Sequence, residues 1–206
     1  MATRAKSTRM FTPKGIASYV NLHTPRQRTD RKGNPTGDPK YGLALFFEEG
    51  TDLKEMKAAA LAKATEAFGA NAKSLIQKGK INWPFADTAD MDDPSPPFDQ
   101  PGVVVNFKTK DKPGIVDENA DPIMEKSDVY SGMEARVSCR CFTYDNESKG
   151  VSFALVNVQK LGDGERLSGN PNAEDDFAEA PTGKGRGKPA AGKRRSSNDD
   201  DGEDLL

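Results

Sequence analysis

The sequence predicts an all-β protein with one capping helix: a small closed barrel of five strands, followed by a charged, disordered C-terminal tail. Three observations carry that expectation. Runs of alternating apolar and polar residues recur between Pro- and Gly-rich breaks, as half-buried strands do. Only one stretch has a helical stripe, whereas an α/β sheet needs a helix after most strands. From Asn170 onward no apolar period survives, and a chain that polar has no core to bury. At 206 residues the length suits one domain with tails, since domains usually span about 100 to 200 residues.

Residues 1–10, MATRAKSTRM, read as a flexible basic arm; the domain is placed at 11–170 and the tail at 171–206. The first strand is GIASYVNL, where Ile16, Ser18, Val20 and Leu22 alternate with Ala17, Tyr19 and Asn21. HTPRQRTDRKGNPTGDPK, rich in Pro, Gly and base, reads as an exposed loop. The continuous apolar run of YGLALFF suits a strand covered on both sides. In DLKEMKAAALAKATEAFG, Asp52 and Glu55 make a capping box. Leu53, Met56, Ala60, Ala64, Ala67 and Phe68 share one stripe of that helix, and Gly69 stops it.

NWPFADTADMDDPSPPFDQ, residues 82–100, is proline-broken and acidic, an irregular excursion that Trp83 and Phe85 tuck down. PGVVVNFKTK is a strand with Val103, Val105 and Phe107 on one side and Val104, Asn106 and Lys108 on the other. KPGIVDENADPIM reads as turns. The long strand MEARVSCRCFTYD sets Met133, Ala135, Val137, Cys139 and Cys141 against Glu134, Arg136, Ser138, Arg140, Phe142 and Tyr144. DNESKG turns it into the closing strand VSFALVNVQKL.

Charge is segregated behind a net value of -2. The first 40 residues hold nine Lys/Arg and two Asp; residues 181–195 hold six bases and no acid, and the last eleven hold five acids and no base. Such blocks suit a protein that handles a polyanion with one part and imitates or repels it with another. Cys139 and Cys141, one residue apart on a strand, are too far apart for an unstrained disulfide and too few for a zinc site, so they read as reduced core thiols. No apolar run approaches the roughly 18 residues of a membrane span, and the basic N-terminus leads into no apolar signal segment. The expectation is a soluble, cytoplasmic protein with no membrane partner.

A single nucleic-acid strand offers phosphates and exposed base faces, so its binding surface interleaves cations with flat rings. Arg136, Arg140, Phe142 and Tyr144 do so at two-residue spacing on the long strand. Arg26, Arg28, Arg31, Lys32 and Lys40 lie between the first two strands, where a five-stranded oligonucleotide-binding barrel lines its strand groove. Enzymatic motifs are missing. Asp87, Asp90, Asp92 and Asp93 match no calcium-loop spacing, His23 has no partner motif for nucleophilic catalysis, and GDGERLSG lacks the phosphate-loop context. No catalysis, cofactor or metal is expected.

Two segments resemble a known family. SDVYSGMEARVSCRCFTYDNESKGVSFALVNVQKLGDGERLSG is similar to the end of the core domain in a family of bacteriophage single-stranded DNA-binding proteins. There, a tyrosine-glycine turn leads into a long strand, a hairpin and a closing strand followed by Val-Gln-Lys and Asp-Gly-Glu. FTPKGIASYVNL, with GNP and YGLALFF after it, resembles the opening of the same proteins and of the T7-type relatives; together the segments cover about 60 of 206 residues. The resemblance implies an oligonucleotide/oligosaccharide-binding barrel that coats single-stranded DNA without sequence preference in replication and recombination. By position it points to Tyr19 and the first basic loop beside the long-strand residues. Apart from the resemblance, the strand PGVVVNFKTK offers Phe107 as a further stacking candidate and Lys108 as a further cation.

The resemblance implies that the acidic tail, Asp199, Asp200, Asp201, Glu203 and Asp204 ending in Leu205 and Leu206, recruits replication proteins such as DNA polymerase and helicase-primase; by its charge the same tail is expected to compete with DNA phosphates for the basic groove. T7-type tails end in an aromatic residue, so the leucine pair bears on which pocket the tail enters. A homodimer stays open. An adaptor without DNA binding and a metal-dependent nuclease are the alternatives.

Overall fold

A computed structural model describes residues 9–30, 32–92 and 94–167. The tail from 168 onward, the first eight residues, Arg31 and Asp93 lie outside the described residues. Eight strands form one sheet: β1 (Arg9–Phe11), β2 (Gly15–Thr29), β3 (Pro35–Glu48), β4 (Phe85–Asp87), β5 (Gly102–Thr109), β6 (Gly114–Val116), β7 (Glu134–Asp145) and β8 (Lys149–Gly162). β2 pairs with β3, β3 with β5, β5 with β8, β8 with β7, and β7 again with β2. That ring is the expected five-stranded barrel. β1, expected as the end of a flexible arm, continues along the β7 edge that β2 starts, with Arg9 opposite Arg140 and Gly15 opposite Ala135.

Period-2 alternation decides what faces inward. Met133, Ala135, Val137, Cys139 and Cys141 all fall in the interior, meeting Leu43, Leu45, Phe47, Val105, Phe107 and Phe153. Cys139 and Cys141 stay as buried thiols without a disulfide. The apolar run of β3 is covered on both faces, as its composition predicts: Ala44 and Phe46 turn outward into a second cluster with Phe98 and Val104. The excursion supplies that outer cover. Thr88 ties its middle to its C-terminal end and to the start of β5, donating its hydroxyl to the Gln100 carbonyl at 2.8 Å and accepting from the Gly102 amide at 3.0 Å. Trp83 and Phe85 pack down as expected, and Phe85 meets Phe153 edge-on at 5.7 Å.

Helix α1 (Lys54–Phe68) lies against β7 and β8 and buries Met56, Ala60 and Ala64. Asp52 caps it from one residue outside the N-cap, accepting from the Lys54 amide at 2.9 Å, while Leu53 takes the N-cap position; the Glu55 half of the expected box does not form. A six-residue helix α2 (Ala72–Gln77), unmarked by any sequence stripe, follows. Among the described residues no helix is long and apolar enough to cross a membrane.

Three strand readings need correction. KPGIVDENADPIM, expected as turns, contains β6, which pairs in parallel with β8, Gly114 opposite Asn157 and Val116 opposite Gln159. The basic segment taken for a loop is a β-ribbon, since β2 and β3 run on past the barrel with Arg26 opposite Lys40 and Arg28 opposite Thr36. Pairing survives there because a two-stranded ribbon needs backbone partners rather than a buried face. Asp30 closes its turn by accepting from the Lys32 and Asn34 amides. The alternation of the first strand also breaks. Ser18 pairs with Ala44 but Asn21 with Gly42, so one extra residue bulges at Tyr19; Ala17, not Ile16, faces the interior.

Candidate nucleic-acid interface

The ribbon, β5 and the β7–β8 turn enclose an open groove of about 640 Å³, whose lining includes Tyr19, Arg26, Arg28, Lys40, Lys108 and Glu147. Its floor requires Gly42, because a Cβ there would sit 2.5 Å from the Phe107 carbonyl oxygen and 3.1 Å from the Lys108 stem. One wall is an aromatic platform. Tyr19 sits at φ +50°, a left-handed conformation rare for a bulky residue and one that surroundings must impose. They do so in two ways: the next amide, of Val20, donates to the Ser131 hydroxyl at 3.2 Å, and Asn21 donates to the Tyr19 carbonyl at 2.7 Å. The ring, 63% exposed, stacks on Phe98 with centroids 5.8 Å apart and planes 20° off parallel. Phe98 is in turn held edge-on by Phe46.

The other wall is cationic. Burial first, then the charges of Arg28 and Lys40, hold the Lys108 ammonium below its ordinary value of 10.5. Arg26 faces Lys40 directly across the ribbon, a like-charge pairing that costs stability in a sheet. Of the acids nearby, Asp38 is engaged by Lys110. A concave surface that crowds cations beside a backed, exposed ring offers phosphates a counter-charge and a base a flat face.

A family model for the ssDNA-binding protein of Enterobacter phage Enc34 matches residues 8–185. The chain belongs to that family. Among solved structures, a C-terminal truncation of the bacteriophage Enc34 single-stranded DNA-binding protein superposes with a TM-score of 0.61 at 19% identity, covering 77% of this chain and 88% of that one. The Enc34 protein in complex with ssDNA gives 0.57 at 18% identity, covering 78% and 89%. Bacteriophage T7 gp2.5, a single-stranded DNA-binding protein, gives 0.56 at 15% identity, covering 90% and 100%. These likenesses establish the barrel as the oligonucleotide/oligosaccharide-binding type. The p50 protein of Acyrthosiphon pisum secondary endosymbiont phage 1 is 32% identical over 66 residues, 32% of this chain and 36% of that protein. The chain thus spans about a third of the length of that curated relative.

The structure divides the residues singled out from sequence. Tyr19, Arg26, Arg28, Lys40 and Lys108 meet in the groove. Lys32 is in the ribbon turn, outside the groove lining; Arg31 lies outside the described residues. Phe107 is corrected: it is fully buried in the barrel interior against Phe153, where no base reaches it. Arg136, Arg140 and Phe142 point outward from β7 and are not among the residues that line the groove, although β7 pairs with the barrel end of β2. Arg136 donates from Nε to Gln159 Oε1 at 2.7 Å. Tyr144 lies over Gly150, where a Cβ would meet its hydroxyl at 2.3 Å, and that hydroxyl accepts from Asn82. Phe98, Tyr41 and Asn106 were not singled out as site residues, yet Tyr41 and Asn106 line the groove and Phe98 backs Tyr19.

Asp87 accepts from the Ala89 amide at 3.0 Å, and no cluster of three His, Cys, Asp or Glu among the described residues suits a metal ion. Burial first, then the charges of Lys112 and Lys126, lower the His23 imidazole from its ordinary value of 6.5.

Proposed function

We propose that this protein is a sequence-independent single-stranded DNA-binding protein that coats and protects DNA during phage replication and recombination in the host cytoplasm. The observation that carries this reading is the Tyr19 ring, exposed on one side and backed by Phe98, beside the cations Arg26, Arg28, Lys40 and Lys108. A stacked ring accepts any base, and cations read backbone rather than sequence. The family's binding activity, rather than any enzymatic one, supports the same reading.

The tail takes two roles in this proposal. Its five acids, Asp199 to Asp204, compete with DNA for the groove, and Leu205 with Leu206 anchors a replication protein such as the polymerase or helicase-primase. Leu167, the last described residue, supports the first role: its amide donates to the carbonyl of Ser131, whose hydroxyl receives the Val20 amide next to Tyr19. Leu167 is thus bonded to the residue that holds the Val20 amide beside the platform.

The test is a fluorescence titration of oligo-dT at two salt concentrations, on the full chain and on a chain stopped at Asp176. Affinity should exceed that for equal-length duplex and fall with salt by about 0.7 in logarithmic slope per phosphate neutralised; the shortened chain should bind tighter at low salt. Salt-independent binding that does not prefer the single strand would defeat the DNA reading. Equal affinity with and without the tail would defeat the competition alone.

A further inference from the structure

Outside the groove the barrel carries a second surface with the same two ingredients. Arg9 of β1 lies directly opposite Arg140 of β7. Neither guanidinium has an acidic side chain as ion-pair partner among the described residues, so two like charges face each other across the strand pair. Phe11, two residues along β1, is 61% exposed, and Phe142, two residues along β7, is 42% exposed. Both rings point to the same side of the sheet as the arginines, because side chains alternate along a strand. In sequence Arg9 continues the basic run that includes Arg4 and Lys6.

We propose that this β1–β7 face is a second contact surface for the same DNA strand, reached after the strand leaves the groove past the β7–β8 turn. Glu147 of that turn lines the groove, and β7 runs from it back through Phe142 to Arg140. At about 3.3 Å per residue the distance from Asp145 to Arg140 is roughly 17 Å. A strand bridging it stacks on Phe142 and places phosphates between Arg9 and Arg140, relieving their repulsion. The bound length then lies toward the upper end of the range of about 4 to 16 nucleotides that one such barrel occupies.

The proposal rests on the groove reading, and its test separates the two. Full-length protein is titrated with oligo-dT of about six nucleotides, enough for the groove, and of about thirty, enough for both surfaces. Arg9→Ala with Arg140→Ala, and separately Phe11→Ala with Phe142→Ala, should weaken the long oligonucleotide about tenfold and leave the short one unchanged. The arginine pair should also lower the salt slope for the long oligonucleotide by about 1.4. Tyr19→Ala with Lys108→Ala should weaken both lengths; if it weakens neither, the groove reading falls, independently of the β1–β7 result. The second surface is overturned if the β1–β7 variants leave the long oligonucleotide unaffected or weaken both lengths equally. It is overturned too if sedimentation shows that they change self-association while DNA affinity holds, since the face would then join copies of the chain.

Discussion

The groove and the β1–β7 face contain the same residue types, arginine or lysine with an aromatic ring, yet they are built differently. In the groove the ring is fixed before any ligand arrives: Tyr19 is locked at a bulge and backed by Phe98, which Phe46 holds. Cations surround it on a concave wall. On β1 and β7 the rings of Phe11 and Phe142 stand exposed with no ring partner among the described residues. A fixed platform loses little freedom on binding, whereas a free ring must be ordered by its ligand. The groove is therefore assigned the main affinity and the face an increment that depends on strand length.

The largest effect that can break this ranking is removal of the platform and its cation together. Tyr19→Ala with Lys108→Ala should cut affinity for a short oligo-dT about 100-fold, the combined worth of a stacked base and a phosphate contact. Phe142→Ala should leave it unchanged. Phe98→Ala comes next. It opens the outer cluster, so it should cost about 3 kcal/mol in denaturant unfolding as well as weakening DNA, whereas Tyr19→Ala should weaken DNA with little loss of stability.

A smaller effect sharpens the electrostatic half of the comparison. Lys108 is held below its ordinary 10.5 by burial and by Arg28 and Lys40, and a phosphate beside it raises it again. Binding therefore takes up a proton at alkaline pH: affinity is full below the lowered free-protein value and falls as pH rises through it toward the DNA-bound value. Lys108→Met should flatten that fall and lower the salt slope by about 0.7; titrations between neutral and alkaline pH measure both.

The smallest effect is a control on β7 itself. Burial pushes Cys139 up to about 12 and Cys141 to about 11, and both lie on the inner side of the strand that presents Arg140 and Phe142. A thiol reagent at neutral pH should label neither in the native protein, nor in the Arg9→Ala with Arg140→Ala variant. Their linkage to stability has the same sign, since the stabilisation is complete below the unfolded value of 9.0 and is lost as pH rises toward about 12.

Sequence pattern reached the barrel because its strands are patterned by burial. The alternation of Met133 to Cys141 and the doubly covered run of β3 both follow from which faces are dry. The ribbon escaped notice because both of its faces are wet: nothing alternates, and Pro, Gly and base signal exposure without revealing backbone pairing. Alternation also set Phe107 and Lys108 on opposite sides of β5, so only one of them could reach a common groove, and burial chooses Lys108. Tyr19 was reached through resemblance, but its platform was not legible. Its left-handed backbone depends on Ser131, 111 residues on, as the acceptor for Val20, and its backing ring comes from the proline-broken excursion.

The central claim is that the groove between the ribbon and β5 holds the single strand, with a base on Tyr19. Ultraviolet cross-linking of a short halogenated oligo-dU to the full-length protein, with the attached peptide mapped by mass spectrometry, tests it most directly. The adduct should fall on Tyr19 and be lost in Tyr19→Phe/Phe98→Ala, where the backing ring is gone. Cross-links confined to Phe11 or Phe142, with none in the groove, would contradict it.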